Sequence, residues 1–256
     1  MRYLKLFAAL ATGFFVVAGQ APAAATPDYL AAAIADPARP AADTERDVDR
    51  KPGETLEFAG IAPGLKIAEL LPGGGYFTRI MSKAVGANGH LYALVPAPSP
   101  NDPPTAPDFA ARVKALAADP AYSNVSVVSE PFAQLKTPEP VDLVWTSQNY
   151  HDLHNFPGLD IGVFNQMVYE ALKPGGIYLI LDHATAPGAG VSETSTLHRI
   201  DPEVVKREVE AAGFVYVGES KILRQASDPH TAKVFDPSVR GHTDQFILKF
   251  KKPKKA

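Results

Sequence analysis

The chain has 256 residues, of which 46% are hydrophobic, 9% aromatic and 21% charged, enough for one sizeable core with or without arms. A formal charge of −3 speaks against non-specific nucleic-acid binding, which needs a basic surface, and the short basic run Lys249–Lys254 reads as a solvated end. There is no cysteine, which excludes disulfides, thiolate metal ligands, a cysteine nucleophile and the lipid-bearing cysteine of a bacterial lipoprotein.

Residues 1–25 read as a secretory signal peptide. Arg2 and Lys5 give a positive start, Leu6–Ala18 is an apolar run, and Ala21, Ala23 and Ala25 offer small residues for cleavage after Ala23 or Ala25. The run is shorter than the roughly 20 residues of a comfortable membrane span, although an uncleaved anchor is the other reading. Without this segment 23 basic residues face 28 acidic ones, a formal −5. The expectation is a periplasmic or secreted protein, not stably inserted in a membrane once the signal is removed.

Residues 26–55 carry Pro27, Pro37, Pro40 and the charged run Asp43–Lys51. Asp28–Ala35 suits a short helix. The stretch is expected to be an N-terminal arm packed on the domain or a partly ordered linker. The domain proper is placed at 56–252, followed by a basic tail at 253–256.

From residue 56 apolar runs alternate with amphipathic ones. Strands are predicted at Leu65–Leu71, His90–Val95, Val125–Val128, Val141–Thr146, Ile177–Asp182, Phe214–Ser220 and Gln245–Phe250. Helices are predicted at Tyr76–Val85, Phe109–Ala118, Asp160–Ala171 and Pro202–Ala212, the last with Asp201 as N-cap and Gly213 just beyond its end. The alternation predicts a three-layer α/β sandwich on a seven-stranded, mostly parallel sheet, and the long polar loop Leu223–Thr243 predicts an antiparallel last strand. Pro96–Pro107 is a proline-rich loop at the ligand-facing edge. Trp145, inside an apolar strand, is expected in the core.

The most informative segment is Glu69-Leu70-Leu71-Pro72-Gly73-Gly74-Gly75-Tyr76-Phe77-Thr78. A strand ends in a carboxylate, a glycine turn follows, and a helix begins. Such turns let backbone N–H groups approach a ligand at the carboxyl edge of a sheet. The spacing does not match the three-glycine dinucleotide fingerprint.

It resembles motif I of class I S-adenosylmethionine-dependent methyltransferases, in the Glu-x-x-Pro-Gly-Gly-Gly variant of predicted methyltransferases with export signals. Glu69 stands at the acidic position and Gly73 and Gly75 at the second and third glycines, while Leu71 replaces the first. The resemblance covers roughly 56–250. It includes Glu130-Pro131-Phe132 after the third strand, Asp142-Leu143-Val144-Trp145, Leu172-Lys173-Pro174-Gly175-Gly176 and Ala211-Ala212-Gly213-Phe214. It implies a Rossmann-like methyltransferase fold and S-adenosyl-L-methionine as cofactor. Glu69, Pro72, Gly73, Gly74, Gly75, Ser147 and Asn149 would hold that cofactor, with Glu130 and Phe132 at the adenine. One departure stands out: the second strand runs into Pro96 without the family's ribose-binding carboxylate, and Asp102 and Asp108 are the nearest substitutes.

Ser147–Asn155 follows the fourth strand and is dense in polar groups. His151 or Asp152 is the candidate general base toward a methyl acceptor, and Tyr150 the candidate orienting group; helix capping and loop contacts are the plainer alternative. Methyl transfer is a direct displacement in which positioning does much of the work. Asp182-His183 and His198 are expected at the same cleft. These imidazoles and carboxylates suit zinc or iron, and His151 and His154 are spaced for one helical face, but no familiar metal signature is present and none is expected. The function expected is methyl transfer to a small-molecule acceptor, with a non-catalytic binding module on the same fold as the alternative and a metal-assisted hydrolase as a third reading. Neither the acceptor nor the oligomeric state is legible.

Overall fold

The computed structural model describes residues 26–98, 108–131 and 136–254. Residues 1–25, read from the sequence as a signal peptide, Asp102 and Phe132 lie outside them.

Four short helices open the described chain: α1 (Asp28–Ile34), α2 (Ala41–Thr44), α3 (Asp47–Arg50) and α4 (Pro52–Ala59). Then come β1 (Lys66–Leu70), α5 (Tyr76–Val85), β2 (His90–Pro96), α6 (Ala111–Ala117), β3 (Val125–Glu130) and β4 (Val141–Ser147). The chain continues with α7 (Tyr150–Leu153), α8 (Ile161–Ala171), β5 (Leu172–His183), α9 (Pro202–Ala211), β6 (Val215–Ser220) and β7 (Gln245–Lys251). Every predicted strand and helix of the domain is present, with ends moved by a few residues. Leu172–Gly176, which lies between a predicted helix and a predicted strand, already belongs to β5, and the β4–β5 register shifts between Val141 and Leu143. Asp201 caps α9 by accepting from Glu203 N at 2.9 Å.

The strand order is β3-β2-β1-β4-β5-β7-β6. Only β7 runs antiparallel to its neighbours. The pleat splits the core into two layers. Ile67, Leu143 and Leu179 face α1, α4 and α5, while Ala68, Val144 and Tyr178 face α8 and α9. Trp145 is fully buried against Phe77, 4.7 Å between ring centroids, as its apolar strand implies.

The arm is part of this sandwich. Leu30 and Ala33 of α1 sit in the first core layer, Tyr29 Oη donates to Ile61 O at 2.8 Å, and the expected boundary at residue 55 falls inside α4. Arg39 holds Asp47 through two hydrogen bonds of 2.7 and 2.8 Å. Asp47 in turn accepts from Tyr76 Oη at 2.5 Å. Among the described residues no helix is long and apolar enough to cross a membrane.

Chain order reverses between β1, which leads outward to β2, and β4. In such sheets ligands bind at this switch point, outside the carboxyl ends of the strands. The register puts Glu69 beside Ala93 on one side and Trp145 on the other, so β1, β2 and β4 end at one level.

Candidate functional site

Two cavities open at that level. The first, about 230 Å³, lies over the ends of β1 and β4 and is roofed by the arm; Asp43, Arg46, Arg50, Glu69, Tyr76 and Ser147 are among its walls. The second, about 350 Å³, is lined by Val95, Pro96, Phe109, Asp152, Asn155 and Phe156 among others. Leu71, Gly73 and Asn149 line both, so the cavities meet at the glycine turn.

The turn is tight because its backbone lies in the left-handed region at Gly73 (φ +57°) and Gly75 (φ +83°). A side chain at Gly75 would be strained by its φ, and its Cβ would sit 2.7 Å from Leu116 Cδ1, which would have to shift. Leu71, in the place of the resembled motif's first glycine, keeps the glycine-like conformation with φ +51°. Gln148 after β4 (φ +62°) and His198 (φ +56°) are strained in the same way. Strain of this kind costs about 1–3 kcal/mol per residue and persists where surrounding contacts enforce it.

Glu69 is buried and accepts from Thr78 Oγ1 at 2.6 Å. Burial pushes its carboxyl up to about 7, against the pull of Thr78 and Arg50. Arg50 donates to Gln148 Oε1 at 2.5 Å and lies over the rings of Tyr76 (4.5 Å) and Phe77 (5.1 Å). Burial and the neighbouring Arg46 lower its guanidinium to about 10. Arg79 ties the arm to the turn, donating to Asp43 at 3.0 Å and to Gly74 O at 2.8 Å. The first cavity therefore sets a buried carboxylate against a half-buried guanidinium. Neither Arg46 nor Arg50 stood out in the sequence, where the charged run reads as linker. Their spacing of four, which puts both on one helical face, was the available signal.

Asn149 Nδ2 donates to Leu71 O (3.1 Å) and Ser147 O (2.7 Å), pinning the loop after β4 to the glycine turn. Ser147 Oγ is buried with no hydrogen-bond partner among the described residues, although it faces the first cavity. A buried orphan hydroxyl is costly unless a ligand or water completes it. Glu130 borders a separate depression with Lys136 and Glu139, and pairs in register with Pro96, which lines the second cavity. Asp108 accepts from Ala110 N at 2.8 Å and pairs with Lys114 at 3.6 Å.

Beyond β4 the three candidate catalytic residues part company. Tyr150 is fully buried in the second core layer, donating to Glu208 at 3.0 Å and accepting from Asn165 at 2.8 Å, so it cannot orient an acceptor. His151 is buried beside the fully buried Asp182, which accepts from its backbone N–H at 2.7 Å and bonds its Nδ1 at 2.8 Å. Its Nε2 lies 3.3 Å from Asp152 Oδ1. Burial disfavours the charged ring, but the two carboxylates overcome it and hold the imidazolium to about 10. A ring protonated on both nitrogens has no lone pair, so His151 cannot be the free base at neutral pH. Asp152, partly exposed, is the one of the three that faces the second cavity. His154 turns to Glu208 (3.2 Å) and does not share the site of His151. His183 bonds Thr243 Oγ1 at 2.8 Å, and burial drives its ring down to about 4, leaving it neutral. His198 Nδ1 comes within 3.4 Å of Asp152.

No family model matches the chain, and no curated protein matches its sequence. Solved structures do resemble it. An S-adenosylmethionine-dependent methyltransferase from Aquifex aeolicus aligns over 82% of this chain and 95% of its own, with a TM-score of 0.57 and 17% identity. A putative sarcosine dimethylglycine methyltransferase from Galdieria sulphuraria aligns over 84% and 89%, with a TM-score of 0.59 and 16% identity. The [4+2]-cyclase SpnF aligns over 84% and 82%, with a TM-score of 0.55 and 16% identity, so one fold serves more than one chemistry. The fold of this chain is the Rossmann-like sandwich of solved S-adenosylmethionine-dependent methyltransferases, and its own residues must carry the case for a reaction.

Proposed function

We propose that the protein is an S-adenosylmethionine-dependent methyltransferase acting on a small-molecule acceptor. The observation that carries this reading is the pairing of two joined cavities at the switch point. One offers a buried carboxylate and a half-buried guanidinium, the other apolar walls. A sulfonium amino acid linked to a nucleoside has the matching halves. Glu69 suits the α-ammonium, Arg50 and Arg46 suit the α-carboxylate, and the turn Pro72-Gly73-Gly74-Gly75 brings backbone close to the ligand. Ser147 Oγ gains a partner, and Asn149 holds the two sides together. Val95, Pro96 and Phe109 give the adenosine an apolar bed. With no carboxylate at the end of β2, binding leans on the amino-acid end.

Bound there, the cofactor supplies an electrophilic methyl group. The chain's part is to place the acceptor in line, exclude water and take up a proton. Asp152, at the cavity wall, is the group that accepts the acceptor's proton; His151, fixed by Asp182, positions that carboxylate. The acidic balance of the chain after residue 25 and the apolar second cavity support a small acceptor over nucleic acid. The Arg2–Ala25 pattern supports a periplasmic or secreted site of action.

Calorimetric titration of S-adenosylmethionine and S-adenosylhomocysteine into the chain tests the reading. Micromolar binding is expected. Glu69→Ala and Arg50→Met should each weaken it roughly 10- to 100-fold, the worth of a charge-assisted hydrogen bond. No binding at millimolar ligand would sink it.

A further inference from the structure

Four side chains from three segments, His151, Asp152, Asp182 and His198, converge where α7, the end of β5 and the loop before α9 meet, and methyl transfer leaves His198 without a role. His151, Asp152 and His198 each bring one donor atom to within 4.8 Å of the others. The shorter edges are much tighter: His151 Nε2 to Asp152 Oδ1 is 3.3 Å, and Asp152 Oδ1 to His198 Nδ1 is 3.4 Å. A tetrahedral ion with bonds of about 2.0–2.1 Å separates its ligand atoms by about 3.4 Å. We propose that His151 Nε2, His198 Nδ1 and Asp152 Oδ1 form a binding site for a divalent transition-metal ion of the zinc class, with the remaining position open to water or an anionic oxygen ligand in the cavity that Asp152 lines.

Three further observations support it. Asp182 is fully buried and bonds His151 Nδ1 at 2.8 Å, the carboxylate–histidine arrangement that orients a ligating imidazole, and the ion would take the place of the proton on Nε2. His198 Nδ1 is buried without a hydrogen-bond partner among the described residues, which an ion would remedy. The His198 backbone is also held in its left-handed conformation from both sides: Arg199 is locked by the buried Asp228 at 2.8 and 3.1 Å, and Val234 N donates to Leu197 O at 3.2 Å. A fixed shell of this kind distinguishes a built site from a chance cluster. Charge agrees, since Asp152 and Asp182 together balance a divalent ion, while Arg199 is already paired and His183 is neutral. Three protein ligands with an open position is the pattern of catalytic rather than structural sites.

The bound ion would hold an acceptor oxygen and lower its pKa. That consequence rests on the methyl-transfer reading; binding of the ion does not.

The test uses the full mature chain without cofactor. Metal is stripped with a chelator, then Zn²⁺ is titrated in competition with a chromophoric indicator, and Co²⁺ absorption reports coordination. One equivalent of Zn²⁺ with a Kd of micromolar or tighter is expected, with the visible bands of a four- or five-coordinate cobalt centre. His198→Asn, which suits the left-handed backbone and keeps the fold, should weaken binding at least tenfold. Asp182→Asn should weaken it about 10- to 100-fold, as loss of an orienting partner does. Failure of the wild-type chain to take up stoichiometric Zn²⁺, or uptake that His198→Asn leaves unchanged, overturns the site. Neither result touches S-adenosylmethionine binding, which is measured without metal.

Discussion

On the β1 side of the cleft the ligand-facing groups come from one stretch of chain, Glu69 to Tyr76, joined by Arg46 and Arg50 from the arm. On the β4–β5 side a polar cluster draws on three segments, at 151–152, 182–183 and 198, with Asp152 as its member at the second cavity. The first side works largely through backbone: a glycine turn, left-handed residues and a helix that begins at once. The second works through side chains that lock one another, with Asp182 serving as acceptor for His151 twice and for the backbone of His183 once. A backbone site survives many side-chain changes near it. A side-chain network does not, because each buried member satisfies another.

That contrast is testable by breaking each side in turn. The largest effect is expected from Asp182→Ala, which removes all three bonds and leaves a buried imidazole without its main partner. Loss of one partner of a buried pair costs about 3–5 kcal/mol, so urea unfolding should show a drop of that size. A change below about 1 kcal/mol would mean that the network contributes little. On the β1 side the corresponding carboxylate is expected to behave oppositely. Glu69 has a folded pKa of about 7, above its ordinary 4.5, because burial disfavours its charge. The stability contributed by its protonated form is full below pH 4.5 and is lost as the pH rises through 7. Glu69→Gln keeps an acceptor for Thr78 and escapes that loss. Measured at pH 4 and pH 8, the variant should gain on the wild-type chain by roughly 3 kcal/mol between the two. A gap that does not change with pH would show that Glu69 is not buried as a carboxylate. The same variant should bind S-adenosylmethionine more weakly, so that stability and function trade against each other at this one position.

The two sides also differ in how far the sequence revealed them. Glu69 through Thr78 is contiguous, and its strand–turn–helix reading needs no long-range information. The seven strands follow from local periodicity in the same way. His151 and Asp182 are 31 residues apart, and nothing local pairs them. The polar run around Tyr150 suggests a cleft residue, but α7 is helical. At about 100° per residue, Tyr150 and Asp152 point to nearly opposite faces, one to the core and one to the cavity. Arg50 was hidden for a different reason. A charged run ordinarily lies in solvent, and it takes the packing of α1 on α5 to bring Arg50 over Tyr76 and Phe77 and within reach of Gln148.

The smallest expected effect concerns Leu71, where a backbone demand and a side-chain identity disagree. Its φ of +51° is a glycine-like conformation held by a residue with a Cβ. The left-handed region costs an L-residue about 1–2 kcal/mol, whereas glycine enters it freely but gives up about 0.5–1 kcal/mol of chain entropy. Leu71→Gly should therefore lie within about 1 kcal/mol of wild type once the partly buried leucyl contact is subtracted. Leu71→Ala loses the same contact and keeps the strain, so it should be less stable than Leu71→Gly by up to about 1 kcal/mol. This reverses the order seen inside ordinary strands and helices, where alanine is the better residue. Urea unfolding of the pair measures it directly. If alanine proves as stable as glycine, the turn relaxes to negative φ in solution, and the β1 side of the cleft is not a backbone-defined site. If glycine wins, the turn requires this geometry whatever side chain it carries, and the leucine is retained at a cost for the wall it gives both cavities.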